Sequence, residues 1–199
     1  MNKGNYGLPK NRTYKAPISA SYAPDSRPYK VYTATITQDS GENIQTLTSQ
    51  TDPFIIGQSY RIVTYNPGDN FTNVGAPING SDVYFIATGT TAARWTNESL
   101  ITANYGAPRV TNVFENTIGN VWWMYESTGR YTFVSNHLFT TDKTYITYTN
   151  TNTLNAVGNL IVPVMSYSDE ARIRLQIAYN GDFVDEVVQN MPIEIRVYN

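Results

Sequence analysis

His137 is the only histidine of this 199-residue chain, and there is no cysteine. Any imidazole-based catalysis must therefore be built around one residue, and thiol nucleophiles, disulfides and thiolate metal sites are excluded. Ser135 and Asp142 are the nearest candidate partners of His137. However, closeness along the chain is not triad geometry, and Ser135-Asn136-His137 reads as a turn. The acidic pairs Asp169-Glu170 and Asp185-Glu186 are adjacent in sequence, so on a strand their carboxylates diverge. A glycosidase pair needs two carboxylates opposed across a cleft, which leaves a polysaccharide depolymerase without a visible acid pair. Gly75, Gly80 and Gly89 lie among strand and turn residues, with no Lys-Ser or Lys-Thr following them and no helix to receive a phosphate. These observations predict a protein that is not an enzyme, with no catalytic residue, no metal and no cofactor.

Three tryptophans, Trp95, Trp122 and Trp123, are candidates for an interface or for a platform under a sugar ring. Trp122 and Trp123 are consecutive on a predicted strand and must point to opposite faces, one into the core and the other towards a second layer, a partner or solvent.

Charge divides the chain. Residues 1–30 hold six basic groups and one acid, Asp25, near +5; the remainder holds eight basic and fifteen acidic groups, near −7. The basic segment contains four prolines and no apolar period, so it is expected to be an extended arm that needs a surface to lie on. Lys3, Tyr6, Lys10, Arg12, Tyr14, Lys15, Tyr22 and Arg27 are its candidate docking residues. The arm could touch phosphates and its tyrosines could stack on bases, but the acidic body would repel a duplex, so an acidic protein surface fits better than nucleic acid.

Tyrosine, threonine, asparagine, valine and isoleucine dominate, and only 15% of residues are charged. With no sustained 3.6-residue period, the chain reads as all-β. Strands are predicted at Tyr29 to Gln38, Ile44 to Thr48, Tyr60 to Tyr65, Val83 to Thr88, Arg109 to Glu115, Val121 to Tyr125, Arg130 to Ser135, Thr144 to Thr149, Leu160 to Tyr167, Arg172 to Tyr179, Asp182 to Gln189 and Pro192 to Tyr198. Asn180-Gly181 is the favoured pair for a two-residue hairpin. This spacing predicts an antiparallel sandwich or jelly-roll-like body. No signal-peptide pattern and no apolar run of membrane length is seen, and the expectation is a protein that folds in a reducing cytoplasm without membrane contact.

Four blocks carry a resemblance. They are Tyr29-Lys30-Val31-Tyr32-Thr33-Ala34, the run from Val113 to Trp123, Thr128-Gly129-Arg130-Tyr131-Thr132-Phe133, and Pro192-Ile193-Glu194-Ile195-Arg196-Val197-Tyr198. Together they resemble a small β-domain of structural proteins in tailed bacteriophages, notably crAss-like phages. The stretch 53–106 departs from that domain, and its Gly68-Asp69-Asn70-Phe71-Thr72-Asn73-Val74-Gly75-Ala76 run is similar to a second β-module of phage tail and fibre proteins. The resemblance implies a docking arm at 1–28, a main sandwich of 29–52 plus 107–199, and an inserted module at 53–106. It also implies a virion component assembled in the host cytoplasm, of the auxiliary capsid or head-fibre type. Its partners would be the major capsid protein, other virion proteins or further copies of itself. The alternative is a tail-fibre adhesin or carbohydrate-binding module for a host surface glycan.

Overall fold

The computed structural model describes residues 27–41, 43–48, 53–149 and 161–199. Seven of the arm residues, Lys3 to Tyr22, lie outside them. The described chain is all-β, with thirteen strands and one 3-10 turn, Thr72–Val74.

Two sheets form a sandwich. In the first, the order is β6 (Arg109–Asn116), β1 (Tyr29–Thr37), β13 (Met191–Tyr198) and β9 (Thr144–Tyr148). In the second it is β10 (Val162–Asp169), β11 (Arg172–Tyr179), β8 (Arg130–Ser135) and β7 (Val121–Ser127), with the short β12 (Asp182–Phe183) also on β11. Every pairing is antiparallel. The period of two explains the core: Tyr32, Ala34 and Ile36 of β1 and Ile193 and Ile195 of β13 face Trp123, Tyr131, Phe133, Ile173 and Leu175 of the second sheet. Phe133 is central, with its ring 4.9 Å from that of Tyr32 and 5.0 Å from that of Trp123. Each side chain of this size contributes about 1.5–3 kcal/mol when taken out of water, and a cysteine-free domain relies on that burial.

The β1–β6 ladder slips twice. Glu115 faces Thr33 and Val113 faces Ala34, so Phe114 is the extra residue of a bulge and stands 62% exposed on the sheet edge.

A third sheet, in the order β2 (Ile44–Leu47), β5 (Leu100–Asn104), β3 (Ser59–Thr64) and β4 (Val83–Ile86), has its own core. Tyr60, Ile62, Phe85 and Ile101 pack there against Phe54, Phe71, Val74 and Trp95 from the loops. The strand β2, expected in the main sandwich, instead pairs with β5, and Leu47 enters the module core, so this sheet takes in residues before 53. A four-residue strand carries too little pattern to reveal its partner.

Two further expectations are corrected. The stretch Leu100–Asn104, outside every strand predicted from sequence, is the central β5. The strand expected from Asp182 to Gln189 stops at Phe183, because Asp185 and Glu186 turn the chain, with Glu186 at φ 63°. Asn180 and Gly181 both have positive φ, as a two-residue hairpin between β11 and β12 requires.

Candidate functional site

His137 sits in a turn at φ 53° and is exposed. It borders a surface depression with Asp169, Glu170 and Arg172. Ser135 is buried, and its Oγ accepts the Leu138 N–H at 3.2 Å. The Asp169 carboxylate accepts the Ala171 N–H at 2.9 Å and so shapes the β10–β11 turn. Asp185 also has a structural role. Its carboxylate accepts the Gly129 N–H at 2.7 Å, the Tyr125 hydroxyl at 3.0 Å and the Tyr131 hydroxyl. Burial first, and then that hydrogen bond to Asp185, push the Tyr131 phenol well above its ordinary range.

The Gly68–Ala76 run is explained by the way it closes the module. Asp69 is 1% exposed, and its carboxylate accepts backbone N–H groups from Thr96 at 2.7 Å, Asn97 at 2.8 Å and Ser99 at 3.1 Å. Burial pushes this carboxyl up, but the hydrogen bonds from Ser99, Asn97 and Thr96 together outweigh it and hold the group below its ordinary value. Phe71 is fully buried, and the Asn73 side chain bridges the Ala93 N–H and the Thr91 carbonyl. Gly75 has φ 111°, and a Cβ there would stand 2.4 Å from the Ile86 carbonyl oxygen. These residues stand out in the sequence as one run, but nothing in it shows that Asp69 reaches across to residues 96–99.

None of the three tryptophans offers an open platform. Trp95 is 4% exposed, packs on Phe54 and donates its indole N–H to the Ser99 carbonyl at 2.8 Å. Trp123 is fully buried in the sandwich core. Trp122, on the outer face of β7, is 8% exposed because Tyr84 of β4 stacks on it, ring centroids 5.1 Å apart. The opposed directions expected of consecutive strand residues are present, with the module covering the outward one.

This junction between module and body is the candidate functional region. The Ser59 hydroxyl accepts the Trp123 N–H at 2.9 Å, Asn120 donates to the Tyr84 carbonyl at 3.0 Å, and Val110 N–H donates to the Gly57 carbonyl at 2.9 Å. Gly57 approaches so closely that a Cβ would meet the Val110 oxygen at 1.8 Å. Arg61 lies over the Tyr84 ring, 5.4 Å from its centroid, and is ion-paired with Asp82. Beside this stack a cavity of about 220 Å³ opens between the outer face of the module sheet and β7. The sequence does not show it, because its walls come from five strands of two sheets.

At the root of the arm, Arg27 donates to Glu115 of β6 at 3.0 Å, and its guanidinium lies 5.5 Å from the Tyr29 ring centroid. It is therefore engaged with its own body, and the Pro28 carbonyl accepts the Asn199 N–H at 2.9 Å. Arg27 and Pro28, placed in the arm by sequence, are thus tied to the described body.

No protein-family model, curated protein or solved structure matches this chain. The fold and the junction define an all-β, two-core protein.

Proposed function

We propose that this chain is a non-enzymatic structural component of a tailed-phage particle, of the auxiliary capsid or head-fibre type, held on the shell by its basic arm. The observation that carries this reading is the arrangement of the four blocks that resemble phage structural domains. The first, second and fourth contribute the neighbouring strands β1, β6 and β13, while the remainder of the second and the third form the β7–β8 hairpin facing them. Blocks distant in sequence thus make one continuous body, which supports a shared domain. Arg27, the first described residue, meets Glu115 at the β6 edge. An extended basic arm suits an acidic shell, because it covers much surface per residue and meets its ordering cost once, at assembly.

The test is charge neutralisation. Replacing Lys3, Lys10, Arg12 and Lys15 together by Gln should weaken association of the purified chain with particle shells and flatten its dependence on salt. Equal binding and an equal salt dependence would remove electrostatic docking from the account.

A further inference from the structure

Asn-Gly occurs at two places in the chain, Asn79-Gly80 and Asn180-Gly181. The pair has a chemistry of its own, because glycine sets no side chain beside its nitrogen and leaves it open to the preceding carboxamide. The fold treats the two pairs differently. Asn79 is half-buried, its side-chain oxygen accepts the Phe71 N–H at 2.9 Å and its amide nitrogen donates to the Asn70 side-chain oxygen at 3.2 Å. Both ends of that carboxamide are held. Asn180 is exposed at the tip of the β11–β12 hairpin, and its side chain has no hydrogen-bond partner among the described residues. Gly181 is exposed too, and a Cβ built on it would meet nothing within 4 Å. Attack of the glycine nitrogen on the carboxamide needs rotation of the backbone at Asn180, which rests at φ 49°. Beyond the turn, β12 pairs with β11 only through Ala178–Phe183 and Tyr179–Asp182, so local opening of the hairpin supplies that rotation at small cost.

We propose that Asn180 is a site of spontaneous covalent modification, deamidated through a cyclic imide formed with Gly181. The Gly181 nitrogen, having lost its proton to base, attacks the side-chain carbonyl carbon of Asn180. A C–N bond forms, the bond to the side-chain amide nitrogen breaks, and ammonia leaves with a proton taken from water. Water then opens the imide at one carbonyl to give aspartate, or at the other to give isoaspartate. The net change is one water taken up and one ammonia released. Either product sets a carboxylate beside Asp182, and isoaspartate also adds a methylene to the backbone of a turn whose two central positions are tightly defined. The short β12 ladder then loosens, and with it the contact of Phe183 with Arg130, whose guanidinium lies 4.1 Å from the ring centroid. The inference does not depend on whether the chain belongs to a particle.

The experiment is a timed incubation of the full chain at neutral and at mildly alkaline pH, once folded and once in urea. Peptides containing Asn79 and Asn180 are followed by mass spectrometry, with an enzymatic assay for isoaspartate. In the folded chain Asn180 should convert about tenfold or more faster than Asn79, the equivalent of one hydrogen bond that Asn79 must first break. In urea, where neither carboxamide is held, the two should convert at similar rates. Conversion should quicken at alkaline pH and give isoaspartate beside aspartate, and the amide NMR shifts that accompany it should centre on Asp182 and Phe183. Equal rates for the two asparagines in the folded chain, the same preference for Asn180 in urea, no conversion of Asn180 in the folded chain, or aspartate formed without isoaspartate would each overturn the proposal.

Discussion

The Trp122 indole and the Tyr84 phenol ring lie nearly parallel, with planes 16° apart and centroids separated by 5.1 Å. One belongs to the sandwich and the other to the module sheet, so this single contact shields the outward aromatic of β7 and joins two separate cores. Tyr84→Ala should therefore cost about 1–2 kcal/mol through lost stacking and the lost contact with Arg61. Trp122 emission should shift to the red as its ring meets water. Unchanged stability and fluorescence in chemical denaturation would mean that the two units do not depend on this pair.

Asp69 gives the module a sensitivity to acid. Its folded carboxyl is held below its ordinary value, so its contribution is present above the unfolded pKa and is lost as pH falls through the folded one. Asp69→Asn should lose about 1–3 kcal/mol near neutral pH. The gap between the variant and the native chain should narrow on acidification towards about pH 3. A gap independent of pH would show that the anionic form does not matter.

Much of the fold was legible because it depends on local rules. Alternation located β1, and Asn180-Gly181 marked a hairpin through its positive φ angles. What escaped depends on contacts between distant residues. β2 finds its partner in β5, far along the chain, and β12 ends where Asp185 hydrogen-bonds to Gly129 and Tyr125. The cavity was invisible for the same reason, since Ile44, Arg61, Asn104 and Met124 meet only after two sheets have packed. The tryptophans were singled out by type, and type alone does not reveal that Tyr84 covers Trp122.

The Tyr32 hydroxyl is buried in the sandwich core without a hydrogen-bond partner among the described residues, and burial pushes its pKa well above the usual range. An unpaired buried hydroxyl costs stability, so Tyr32→Phe should leave the protein unchanged or more stable by about 1 kcal/mol. Thermal unfolding measures this directly, and a clear loss of stability would mean that the hydroxyl makes a favourable interaction.

The most direct test of particle docking is incorporation. The full chain and a version beginning at Arg27, which keeps the Glu115 and Asn199 contacts, would each be produced during phage infection and quantified by mass spectrometry in purified particles. The account predicts that both fold, that the full chain copurifies at stoichiometric occupancy, and that the version without residues 1–26 is absent from particles. Equal occupancy of the two, or absence of the full chain from particles, would contradict it.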